Sequence, residues 1–132
     1  MFNNEAKAFT YRWKNLRQLV PTLKEWSRVM ADNGKMLISV PDMDVLCRLF
    51  LAKEELTLDQ RYHVMRMMFG GQSNRYDFHY AGLNYEILQK LANEAGLTIK
   101  QRVKRFNIFP DHSDYQFAGE LISLNVELVK AK

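Results

Sequence analysis

The chain has 132 residues, 47% of them apolar and 26% charged, with a formal net charge of +4. That length suits a single domain with a real core, and no apolar run approaches the roughly 20 residues needed to span a bilayer. The single cysteine, Cys47, excludes an internal disulfide, and Met1 to Lys7 lack the apolar stretch of a secretion signal, so a reducing, cytoplasmic setting is expected.

In chain order, Phe9, Trp13, Leu16 and Val20 repeat on one side of a helix expected over about Glu5 to Val20, within a divergent helical segment 1–21. Pro21 interrupts it. Thr22-Leu23-Lys24-Glu25 has capping-box spacing and opens a second helix with Leu23, Trp26 and Met30 as its apolar stripe, ended by Asn33-Gly34. Met36 to Val40 is apolar apart from Ser39, which predicts a strand buried on both faces, as in a parallel sheet covered by helices. Pro41 stops the ladder and Asp42 caps the next helix, which carries Leu46, Leu49 and Phe50 inward. Leu46 and Leu49 suggest a packed thiol at Cys47.

Thr57-Leu58-Asp59-Gln60 is a further capping box. The helix it opens has Leu58, Tyr62, Met65 and Phe69 on one face and closes at Gly70-Gly71. A polar and aromatic loop runs from Gln72 to Leu83. Asn84 then caps a helix bearing Ile87, Leu88, Leu91 and Ala95, ended by Gly96. Leu97, Ile99 and Val103, and later Ile122, Leu124, Val126 and Leu128, alternate with polar residues and predict two half-buried antiparallel strands. Within the first, Lys100, Arg102, Lys104 and Arg105 form the densest basic group, whose alternate members would share a strand face. The mild charge and the lack of a nucleic-acid module make a solvated face the plainer reading, with attraction to an anion as the other.

With these elements placed, the stretch from about Val20 to Val126 resembles the carboxyl-terminal half of S-adenosylmethionine (SAM)-dependent methyltransferases of the class I, Rossmann-like fold. Leu23 to Lys35 is similar to the family's leucine-lysine-glutamate-tryptophan helix and the turn after it. Met36-Leu37-Ile38-Ser39-Val40-Pro41-Asp42 is similar to its fifth strand, and Ile122-Ser123-Leu124-Asn125-Val126 to its last. Arg61 to Gln72 and Tyr76 to Leu83 resemble a subgroup signature. The resemblance implies an α/β fold: a partial methyltransferase sheet with one buried strand, flanking helices and a carboxyl-terminal antiparallel strand pair, in one domain over 1–132. It implies SAM as cofactor. Members hold SAM with a glycine-rich turn after the first strand and an acidic residue after the second, and no residues here match either. The chain is therefore expected neither to bind SAM nor to catalyse alone. The alternative is a non-catalytic dimerisation or interaction module derived from that fold, and a weaker option is a small-ligand site at a dimer seam.

The loop from Gln72 to Gly82 holds the candidate chemistry. By resemblance it lies near the carboxyl ends of the strands, where open α/β sheets bind ligands. A carboxylate beside an imidazole can orient it for general-base work, so Asp77 and His79 are the candidate catalytic pair; equally, both could serve to hold the loop together. Gln72, Tyr76 and Tyr80 are candidate substrate contacts, or packing. His63 reads as a helix flank and His112 as a turn. The dispersed histidines and lone cysteine give no metal spacing, and Met65, Met67 and Met68 read as core filling. The strand Met36 to Val40 needs a neighbour on each side. Its open edge is expected to be covered by a second copy in a homodimer, by a complementing amino-terminal half, or by the amino-terminal helix. A membrane or nucleic-acid partner is not expected, and the methyl acceptor is unspecified.

Overall fold

The computed structural model describes residues 5–8, 16–75, 77–107 and 112–132. Their architecture is mixed α/β. The central strand, β2 (Lys35–Pro41), lies between β1 (Glu5–Ala8), which runs parallel to it, and β6 (Ser123–Lys130), which runs antiparallel; β3 (Leu97–Val103) pairs antiparallel with the far side of β6. The expected antiparallel pair is present as β3 and β6. Continuous apolarity in β2 therefore marks a mixed-sheet interior with burial on both faces, and does not require parallel partners on both sides.

Glu5–Ala8 corrects the helical expectation for segment 1–21. Glu, Ala and Lys favour helices locally, but the edge of β2 offers backbone partners, and that tertiary pairing overrides propensity. Phe9 and Trp13, part of the expected helical repeat, lie outside the described residues. The first helix, α1, runs Leu19–Val29 through Pro21. Proline is tolerated there because a first-turn N–H has no intrahelical acceptor in any case. The expected box at Thr22 is consequently inside the helix, whose N-cap is Gln18 with no side-chain cap bond.

Three other caps form as the sequence requires. Asp42 Oδ1 accepts from the Asp44 N–H at 3.0 Å and starts α2 (Met43–Leu51). Thr57 and Gln60 make the reciprocal box at the head of α3 (Leu58–Phe69). Asn84 accepts from the Ile87 N–H at 2.8 Å and starts α4 (Tyr85–Glu94). A short hairpin of β4 (Gln116–Phe117) and β5 (Glu120–Leu121) precedes β6. Its turn residues Ala118 and Gly119 both have positive φ, matching the twist of a two-residue hairpin.

Two cores result. In the larger, Met36, Ile38 and Val40 meet Leu124, Val126, Leu128 and Leu97 on one sheet face, under Leu19 and Leu23 of α1 and Leu88 and Ala92 of α4. In the smaller, Leu46 and Leu49 of α2 pack with Val64, Met67 and Met68 of α3, Ile122 and Phe117. Cys47 and Phe50 are exposed, contrary to expectation. Successive helical residues rotate by about 100°, so the pair Leu46 and Leu49 that faces the core turns Cys47 away from it. Ile87 is exposed as well, while Leu88 and Ala95 are buried. Among the described residues, no helix is long and apolar enough to cross a membrane.

Candidate functional site

The loop after α3 begins at Gly70, whose φ of +86° favours glycine. A Cβ there would sit 2.3 Å from the Asp77 carbonyl oxygen, so the loop folds back against a backbone with no side chain in the way. The Gln72 N–H donates to the Asp77 carbonyl at 2.8 Å, and the Asp77 N–H donates to the Asn74 carbonyl at 3.0 Å. The Ser73 hydroxyl donates to the Asp77 carboxylate at 2.9 Å and the Ser73 N–H does so at 3.3 Å. These two bonds, the hydroxyl foremost, hold the Asp77 carboxyl below the usual carboxylate range; the Gly71 N–H and the charge of His79 act in the same direction, against partial desolvation.

His79 is oriented from elsewhere. Its N–H donates to the Phe69 carbonyl at 3.0 Å, and its ring Nδ1 lies 3.0 Å from the Met67 carbonyl oxygen. A carbonyl only accepts, so Nδ1 carries the proton and Nε2 of the neutral ring carries the lone pair. Asp77 and His79 share a loop as expected, but the Asp77 carboxylate accepts from Ser73 and the orienting group for His79 is a main-chain oxygen. Gln72 is exposed with φ of 55°. Tyr80 is exposed, its ring stacked on Phe78 at 6.1 Å. Tyr76 lies outside the described residues.

The far end of this loop docks on the carboxyl end of β2. Leu83 bridges Asp42 in parallel, and the Met43 N–H donates to the Leu83 carbonyl at 2.9 Å, while the Asp42 N–H donates to Ile122 on the β6 side. Consecutive strand N–H groups point opposite ways, so Leu83 occupies the same edge of β2 that β1 occupies lower down. The edge expected to be covered by a second copy, a complementing half or an amino-terminal helix is instead paired by the strand β1 and by Leu83.

Asp42 is 2% exposed, and its Oδ2 accepts from Arg102 at 2.7 Å; that guanidinium also lies 6.0 Å from the Tyr85 ring centroid. This pair was not legible in the sequence because a bulge between Ile99 and Gln101 resets the strand. Lys100 and Arg102 therefore do not act as one face. Lys100 Nζ lies 3.8 Å from Glu127, which also accepts from Gln101 at 2.9 Å, whereas Arg102 reaches Asp42. His63 is exposed with its ring 5.2 Å from that of Phe117, and His112 begins a 3₁₀ turn ending at Asp114. Among the described residues, no three His, Cys, Asp or Glu side chains gather into a metal site.

Residues that the sequence reading missed are Ser73, the anchor of Asp77, and the main-chain oxygen of Met67. Neither has a local signal, since both act across a loop closed by other bonds. No protein-family model matches the chain, and no curated protein matches it.

Proposed function

We propose that this chain is a portion of a SAM-dependent methyltransferase that supplies the acceptor side of the site and neither binds SAM nor catalyses by itself. The reading rests on the resemblance of the Met36 to Asp42, Arg61 to Gln72 and Tyr76 to Leu83 segments. It is supported by β2 and β6, the counterparts of the family's fifth and last strands, lying side by side. The observation that carries the chemistry is the 3.0 Å approach of His79 Nδ1 to the Met67 carbonyl oxygen, which calls for the proton on Nδ1 and leaves Nε2 as the acceptor of a proton from a substrate hydroxyl or amine.

SAM itself does not fit the described residues. The glycines with positive φ, Gly70, Gly96 and Gly119, follow helices or turn a hairpin. None lies between the carboxyl end of a strand and the start of a helix, where a pyrophosphate or amino-acid tail would meet open N–H groups. The chain's own contribution is therefore orientation of the acceptor and removal of its proton. Calorimetric titration of SAM into this chain is expected to give no saturable heat. Binding should appear once a polypeptide carrying a strand, glycine turn and helix is joined to it, and saturable binding by these residues alone would overturn the proposal. In the completed enzyme, His79→Ala is expected to lower turnover about 100-fold; unchanged turnover removes the base.

The second reading, a non-catalytic interaction module, is favoured by one observation: the apolar face of α3 is turned outward.

A further inference from the structure

Leu58, Tyr62, Met65 and Phe69 recur at the spacing of one helix face, yet Leu58 is 76%, Tyr62 60% and Phe69 53% exposed, while the buried side of α3 is centred on Val64. Such a stripe on a surface helix normally faces a core. Here the core contact is made by Val64, Met67 and Met68, and the stripe is left over. Exposed Tyr80 lies beside its Phe69 end, one residue beyond the N–H of His79 that bonds the Phe69 carbonyl.

We infer that α3 is a homodimer interface in which two copies pair antiparallel about a two-fold axis through the middle of the stripe. Two features of the sequence favour a second copy as the occupant. The stripe is self-complementary when reversed: Leu58 comes opposite Phe69 of the second copy, and Tyr62 opposite Met65. The charges match as well. Asp59 and Arg66 are seven residues apart, two turns, and so border the same flank of the stripe. In antiparallel pairing that flank meets itself, and Asp59 comes within two residues' rise, about 3 Å along the axis, of Arg66 of the second copy. The two-fold makes this opposite-charge contact twice. A parallel pairing would turn this flank toward the opposite one and lose the Asp59–Arg66 contact. A 12-residue helix is about 18 Å long, so the contact is at the small end of specific interfaces and the dimer is reversible. The inference stands independently of methyl transfer.

Light scattering over a concentration series is expected to show a monomer passing to a dimer, and Tyr62→Glu to weaken the dimer about tenfold or more. Because Tyr62 is exposed, the far-UV circular dichroism should be unchanged. The geometry is read by a short bis-maleimide linker in a Cys47→Ser background. The copies of residue 62 are three residues apart along the axis, about 4.5 Å, whereas the copies of residue 58 are about 16 Å apart. Tyr62→Cys should therefore cross-link to itself and Leu58→Cys should not. A monomer at every concentration overturns the inference, as does a dimer unaffected by Tyr62→Glu. Self-linking at 58 in preference to 62 overturns the antiparallel arrangement.

Discussion

At the scale of single residues, the loop after α3 is held by a carboxylate whose proton affinity is lowered by its neighbours. Asp77 accepts two bonds from Ser73, so folding favours its charged form. The folded value is below the unfolded one. Its contribution to loop order is therefore present above the ordinary carboxylate range and is lost as the pH falls through the depressed folded value. Carbon-detected NMR titration should find the Asp77 carboxyl titrating below an ordinary aspartate, and Ser73→Ala should raise it. Hydrogen exchange at the His79 N–H, which reports closure of the loop onto Phe69, should accelerate over the same acidic interval. His79 keeps its Nδ1 proton through a main-chain oxygen, so replacing Asp77 should disturb the loop before it disturbs the ring tautomer.

At the scale of elements, α3 has a strong local start and an unusual orientation. Its reciprocal Thr57–Gln60 cap satisfies two otherwise orphaned N–H groups, and Thr57→Ala should cost about 1 kcal/mol in urea unfolding. Leu58→Gln, one residue on, should change monomer stability by less than about 0.5 kcal/mol because that side chain is already in water. The contrast separates what was legible from what was not. Caps at Asp42, Thr57 and Asn84 were readable because donor and acceptor are three residues apart or fewer. The stripe of α3 was readable as a stripe, but periodicity does not say toward which neighbour a face is turned; that is decided by Leu46, Leu49 and Ile122, remote in sequence. The bulge near Lys100 was hidden for a related reason: it exists to keep β3 in register with β6. The strand Glu5–Ala8 was hidden behind residues of high helix propensity. In the candidate loop, the residues carrying polar side chains stood out, whereas the bonds that fix them come largely from the backbone.

For the molecule as a whole, a side-chain contact long in sequence separation joins the end of β2 to β3. Arg102 is half exposed and Asp42 almost fully buried, so the two sides of the pair are unequal. Arg102→Met strands a buried carboxylate and should cost about 2–3 kcal/mol in urea unfolding. Asp42→Asn keeps a good helix cap, removes the buried charge and frees the guanidinium into water, so its cost should be nearer 1 kcal/mol. The order β1-β2-β6-β3 also has a consequence for biosynthesis. The strand that cements the sheet's two halves is the last of the four to be translated. Until Ser123–Lys130 has cleared the ribosome, β2 and β3 have no strand between them, and Met36, Ile38 and Leu97 lack Leu124, Val126 and Leu128 as packing partners. Closure of the sheet therefore waits for the synthesis of Ser123–Lys130, and the half-built sheet is aggregation-prone in that interval.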